Sequence, residues 1–291
     1  MKILVTGANG QLGYDVLKEL HRRKIPCRGI DREECDITNM PQVMQWMETY
    51  LPDAVIHCAA YTDVNRAQTE QALCMDINYR GSANIAAAAN KTGAKLVYIS
   101  TDYVFGASGD RPLNIYDDKN PLNVYGETKL SGENSTRILC PRSFIVRTSW
   151  VFGINGTNFV KTMLRLGREK EEIRVVNDQI GSPTYTADLA PLLCDMALTE
   201  RFGTYHATNE GYCSWYEFAS EIMRIRGLPA KVIPVSTAEY PSAAARPFNS
   251  RLSKESLDEA GFARLPHWRD ALQRYLSELA IAEEEGIIKA F

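Results

Sequence analysis

Residues 5–13 read "VTGANGQLG", and their setting in the chain decides the fold. They complete "KILVTG" (2–7), a short apolar run, and open residues 11–24, where apolar residues recur at helical spacing. Strand, glycine-rich turn and helix in that order make an anion site, because the first N–H groups of a helix are unpaired and its dipole is positive there. The spacing is G-x-x-G-x-x-G, one residue longer in its first interval than the usual dinucleotide fingerprint. Gly7 permits the tight turn, Gly10 a close backbone approach to a pyrophosphate, and Gly13 the packing of helix on strand.

Working outward, apolar runs recur at "PCRGID" (26–31), "DAVIHCAA" (53–60), "KLVYIS" (95–100) and "SFIVRTSW" (143–150), with helical patterns at 39–50, 64–92 (broken near Asp76) and 124–137. Continuous apolar strands alternating with helices predict an α/β fold, a doubly wound parallel sheet covered on both faces. After residue 150 the rhythm loosens. Helices are expected at 154–169, 185–200, 214–227 (Ser214 as N-cap, Glu217 three residues on, Gly227 at the end) and from about 267, with strands at 173–178, 203–209 and 230–236. The division expected is a dinucleotide-binding domain over 1–150 and a smaller substrate-binding lobe over 151–291 that shares its core.

The 291 residues suffice for a full core, and 45% hydrophobic with 24% charged residues is ordinary for a soluble protein. A formal charge of -3 gives no support for a nucleic-acid partner, and no apolar run approaches a membrane span. Seven cysteines with no C-x-x-C pair, and no signal-like segment at the start, point to reduced thiols and a cytoplasmic location. The four histidines do not cluster, which argues against zinc.

Asp31 ends the second apolar run, where an acid accepts from the ribose hydroxyls of NAD; Arg32 follows, and an arginine there suits the extra phosphate of NADP. The sequence therefore gives both signals. "YISTDYVFG" (98–106) brings Ser100, Thr101 and Asp102 to the carboxyl end of the fourth core strand, the side on which open α/β sheets bind ligands. In "NVYGETKLSGE" (123–133), Tyr125 and Lys129 share one helix face. An isolated Y-x-x-x-K is a surface contact as a rule, but beside a dinucleotide loop the pair has a use. Hydride addition to a carbonyl needs an acid for the oxygen, and Tyr125 can supply the proton. A neighbouring ammonium is expected to lower the phenol pKa toward the working range, and Thr101 to hydrogen-bond the carbonyl or tune the phenol.

The loop, the hydroxyl on the fourth strand and Y-x-x-x-K resemble the extended short-chain dehydrogenase/reductases. Together with "RTSWVFG", "NFVKTML", "NDQIGSPT" and "RPFNSRL", they resemble within that superfamily the dTDP-4-dehydrorhamnose reductases, over residues 6 to 252. The resemblance implies an NADPH- or NADH-dependent oxidoreductase of dTDP-rhamnose biosynthesis, acting on a dTDP-sugar as monomer or homodimer. It implies cofactor contacts at Gly10, Gln11, Leu12, Asp31, Asp36, Ile37, Ala59, Ala60, Tyr61, Thr62 and Ile99. It makes Tyr125 the proton donor, Lys129 the cofactor-binding lysine and Thr101 the tuning hydroxyl. Sugar-nucleotide contacts are implied at Thr101, Asp102 and Trp150, and in the second lobe at Asn158, Arg246, Asn249 and Arg251. Some members hold magnesium at a dimer interface through a first-helix glutamate. Asp15 stands there and Asp188 is a second acidic candidate, an arrangement that speaks against tight magnesium dependence. His57 and Cys58 replace an asparagine region of relatives, and His57 is read as structural. Two other readings stay open: a non-catalytic NADP-binding regulator like the regulatory subunit of methionine adenosyltransferase, and a 4-ketoreductase for another nucleotide deoxysugar.

Overall fold

Short β-branched runs with no polar side to turn toward water must be covered on both faces, and the chain does this with a six-stranded parallel sheet. In the computed structural model, which describes residues 1–106 and 109–284, its strands are β1 (Ile3–Thr6), β2 (Cys27–Ile30), β3 (Ala54–His57), β4 (Lys95–Thr101), β5 (Ser143–Thr148) and β6 (Gly203–His206). Their order is β2-β1-β3-β4-β5-β6, with every neighbouring pair parallel. Alternation divides the core cleanly. Ile3, Val5, Ala54, Ile56, Val97, Phe144 and Val146 face one helix layer, while Leu4, Val55 and Leu96 face the other.

The main helices are α1 (Gln11–Arg22), α2 (Met40–Tyr50), α3 (Ser82–Thr92), α4 (Val124–Leu139), α5 (Phe159–Glu169), α6 (Thr186–Leu198), α7 (Trp215–Arg226) and α8 (Trp268–Glu284). Leu12, Val16 and Leu20 lie four residues apart on one stripe of α1 and meet Leu189, Leu193 and Met196 of α6. Val43 and Met47 of α2 cover the opposite face with Ile85, Ala86 and Ala89 of α3. Residues 186–206 thus return from the second half of the chain to complete the first half's sheet and cover it. The expected boundary at 150 falls between β5 and elements that build the same core.

Two local departures have physical causes. The helical run expected over 64–92 is divided into Val64–Ala67, Gln71–Met75 and α3, and a π-helical turn at Asp76–Gly81 joins the last two. That turn brings Asn78 out to the loop after β3, where its amide accepts from Tyr61 N at 2.8 Å and donates to Tyr61 O at 3.1 Å. The strand expected over 143–150 stops at Thr148 because Trp150 turns left-handed, with φ of 49°. The second lobe pairs Glu172–Val176 with Lys231–Val235 in parallel, and sets Ile180–Gly181 between Cys213–Ser214 and Asn249–Ser250. Residues 285–291 of its expected span lie outside the described residues.

The loop after β1 has no spare volume. Gly7 has φ of 66°, and a Cβ on it would lie 2.6 Å from Ala59 N. A Cβ on Gly13 would lie 2.1 Å from the Gly7 carbonyl oxygen. Both obstacles are backbone and cannot swing away. Gly13→Ala is expected to push α1 off the loop, at a cost of about 1–3 kcal/mol for overpacking. Thermal melting should show that loss, together with weakened dinucleotide binding; a variant with parental melting temperature and affinity would contradict the packing described.

Candidate active site

One cavity of about 950 Å³ runs across the carboxyl ends of β1 to β5 and along the wall where the second lobe meets them. At one end it is lined by Gly7, Gly10, Gln11, Leu12, Gly13, Asp31, Arg32, Asp36 and Ile37, and at the centre by Ala59, Ala60, Thr62, Ile99, Thr101, Asp102, Tyr125 and Lys129. Trp150 lines the other end. Sequence-predicted residues from six segments therefore converge. Tyr61 does not line the cavity: its N–H and C=O are tied to Asn78, and its hydroxyl donates to Glu70 at 2.6 Å.

The dinucleotide end is braced internally. Asp31 Oδ2 accepts from Asn9 N at 2.9 Å and Oδ1 from Arg32 N at 2.8 Å, so the acid that ends β2 also holds the glycine loop. Asp36 Oδ1 accepts from both the N–H and the hydroxyl of Thr38, fixing the turn that presents Ile37. The Gln11 side-chain oxygen accepts from Gly153 N and Asn158 Nδ2, both at 3.0 Å, and pins the loop to the second lobe.

At the chemical centre, Asn123 caps α4 by accepting from Gly126 N at 2.8 Å, which starts the helix at Val124, one residue before Tyr125. The next turn places Lys129, whose Nζ donates to the Ile99 carbonyl at 2.6 Å and lies 4.3 Å from the centre of the Tyr98 ring. Burial lowers the Lys129 pKa to about 7. Burial also raises the Tyr125 pKa well above its usual value, against a smaller lowering by the Thr101 hydroxyl in hydrogen-bond contact with it. The expected lowering of the phenol by Lys129 is therefore not what governs Tyr125. Desolvation acts on both groups and disfavours each charged form, so the phenol stays protonated at neutral pH. Tyr103 packs edge-on against Tyr125, with ring centres 5.8 Å apart.

The model of a family described as the RmlD substrate binding domain matches residues 1–281. The chain belongs to that family. It is 42% identical to the spore coat polysaccharide biosynthesis protein SpsK of Bacillus subtilis, over 97% of this chain and 99% of the relative. It is 39% identical to the dTDP-4-dehydrorhamnose reductase of Escherichia coli, over 96% and 98%. The crystal structure of the dTDP-4-dehydrorhamnose reductase of Bacillus anthracis in complex with NADP superposes with a TM-score of 0.92 at 46% identity, covering 95% of this chain and 99% of that one.

The magnesium that the resemblance leaves open would rest on two acids that are already engaged within the chain. Asp15 is buried, with Oδ2 accepting from the Thr186 hydroxyl. Asp188 accepts from Asn209 Nδ2 at 2.7 Å and is held by two guanidinium N–H groups of Arg274, each at 2.8 Å. Among the described residues, no three carboxylate, imidazole or thiolate groups converge.

Four residues expected at the nucleotide end lie off the cavity wall. Asn158 caps α5 and spends its amide on Gln11 and Gly153. Asn249 donates to Arg111 O and accepts from Arg251 Nη1 at 3.0 Å. Arg246 reaches Asn65 and Tyr103, at the cavity's edge. Trp215, by contrast, lines the cavity without any sequence signal beyond its place at the start of α7, and stacks on Trp150 with ring centres 3.7 Å apart. The left-handed backbone at Trp150 turns its ring into that stack, where Gly181 leaves room for it.

Asp102 is 2% exposed; its Oδ1 accepts from Thr101 Oγ1 at 3.0 Å, and the Ser250 hydroxyl lies close enough to favour the carboxylate as well. Burial pushes its pKa up to about 6. Between pH ~4 and ~6 the unfolded chain releases this proton first, so stability falls as pH rises, and above about 6 the penalty is constant. Asp102→Asn should therefore stabilise the ligand-free protein by about 1–3 kcal/mol at pH 7–8 and by nothing below pH ~4. Melting curves across that range test it; an equal effect at both ends would mean that the charge is not the cause.

Proposed function

We propose that the chain reduces the 4-keto group of dTDP-4-dehydro-L-rhamnose to dTDP-L-rhamnose with NADPH or NADH. The observation that carries this reading is that Thr101, Tyr125 and Lys129 line the same cavity as the glycine loop and Asp31. The family membership and the named relatives support it. When bound, the reduced nicotinamide supplies a hydride to the carbonyl carbon. Tyr125 gives its Oη proton to the carbonyl oxygen as negative charge develops there, and water restores the proton. Thr101 holds the phenol in place through its hydroxyl. Lys129, fixed by the Ile99 carbonyl, presents a cation to the nicotinamide ribose. Asp102 offers its carboxylate to a sugar hydroxyl, and the Trp150–Trp215 stack supplies an apolar wall for the sugar nucleotide.

Asp31 and Arg32 both line the cofactor end, so we expect both cofactors to serve. The seven cysteines are all free, in keeping with a reducing compartment, and we place the protein in the cytoplasm. No helix among the described residues is long and apolar enough to cross a membrane.

Loss of reduced-nicotinamide absorbance with the purified ketosugar nucleotide is the direct assay. Tight NADP binding without turnover would favour the regulator instead. Tyr125→Phe should cut kcat by ~10²–10⁴-fold, the usual weight of a general acid, and leave cofactor affinity nearly unchanged. Lys129→Met should weaken both. Near-full kcat in Tyr125→Phe would remove Tyr125 as the donor.

The two cofactors should differ by less than about a hundredfold in kcat/KM, roughly 2.7 kcal/mol. Arg32→Ala should lower kcat/KM for NADPH more than for NADH. An unchanged ratio would make Arg32 a surface charge.

A further inference from the structure

Behind the catalytic residues lies an ion pair that water does not reach. Glu133, one helical turn beyond Lys129 on α4, and Arg147 on β5 are both 0% exposed at their side chains. Arg147 donates to both carboxylate oxygens at 2.8 Å, Nε to Oε1 and Nη2 to Oε2. Oε1 also accepts from Ser100 Oγ at 2.6 Å, and Ser100 directly precedes Thr101 on β4. The remaining guanidinium nitrogen donates to Ile115 O at 3.1 Å and meets His206 Nε2 at 3.3 Å. One carboxylate thus joins the helix of Tyr125 and Lys129 to the strand of Thr101.

Its position relative to Lys129 matters more. The ammonium is buried and hydrogen-bonded to a single neutral carbonyl. The ionisable groups around it come from four elements. On α4 they are Tyr125 and Glu133; at the end of β3, His57 with Cys58 just after it; on β4, Tyr98; and on Gln71–Met75, Cys74. Burial holds His57 neutral, with its pKa lowered to about 3, and pushes the Cys58, Cys74, Tyr98 and Tyr125 values up. Of these groups, Glu133 is left as the carboxylate that favours the ammonium. Arg147 stands behind it on β5 and fixes its orientation.

We propose that Glu133 is a positioning residue of the reductase: its buried charge keeps Lys129 cationic in its slot, while Arg147 and Ser100 hold that charge in place. The role rests on the reductase reading for its effect on turnover. Its effect on Lys129 is independent of any substrate.

The test compares Glu133→Gln, Glu133→Asp and the charge-free double variant Glu133→Gln/Arg147→Met. The double variant guards against misfolding, because it leaves no unpaired buried charge. Two quantities are read: the titration midpoint of Lys129 in the ligand-free protein, by side-chain NMR with Lys129→Met assigning the signal, and the pH at which kcat falls on the alkaline side. In Glu133→Gln both should move down by about one pH unit, since the cation loses its anion and faces an unpaired Arg147; in the double variant, which loses a cation as well, they should move the same way by less. Glu133→Asp, which keeps the charge, should stay near the parent. Profiles in the Gln variants that superimpose on the parent after scaling would make the pair purely structural and overturn the proposal, as would a double variant that cannot fold. A protein inactive toward the ketosugar would still report the Lys129 midpoint, so failure of the reductase reading is distinguishable from failure of this one.

Discussion

The fold turns on one contact that has no room for a side chain. Where α1 leaves the loop after β1, the backbone of Gly13 rests on the Gly7 carbonyl, and Gly7 in turn rests on the backbone of Ala59 after β3. Three segments meet there without a Cβ on either glycine. Because the approach is that close, the start of α1 sits over the sheet's carboxyl edge with its free N–H groups facing the cavity. The direction of α1 then sets where its apolar stripe lies, and α6 must come back from the second half of the chain to cover it.

Around the reacting centre, desolvation rather than mutual attraction governs the charge states. The same burial that raises the phenol of Tyr125 lowers the ammonium of Lys129 and keeps His57 neutral. In the proposed reaction a donor that must arrive protonated gains from this, whereas a cation that must stay charged loses. The buried carboxylate of Glu133 offsets that loss, and the carboxylate in turn is satisfied by Arg147 and Ser100. A dry site that holds one net charge state needs a neutralised chain of partners behind it, and the chain here reaches from α4 through β5 to β6.

The sequence made some of this visible and hid the rest for physical reasons. Strands buried on both faces read as continuous apolar runs, so β1, β3, β4 and β5 were legible, as were the glycine loop and the four-residue spacing of Tyr125 and Lys129. These are local signals. The π-helical turn at Asp76–Gly81 depends on what Asn78 finds across space, and the left-handed backbone at Trp150 depends on a stack with Trp215. Neither has a periodicity to detect. Asn158 shows the converse: its side chain is polar at a motif position, yet it caps α5 and ties Gln11 to the second lobe. The sign of the Tyr125 shift was missed because a sequence shows a neighbouring lysine but not the depth at which both groups lie.

The return of α6 and β6 to the first half's sheet has a consequence for synthesis on the ribosome. When the first 150 residues have emerged, the stripe of Leu12, Val16 and Leu20 has no cover and β5 is an open edge. The nascent chain therefore cannot complete its dinucleotide-binding half as an early, independent unit. It must carry an apolar helix face and an unpaired strand until residues 186–206 leave the exit tunnel, a period in which holdase chaperones or ribosome-bound factors find their binding surface.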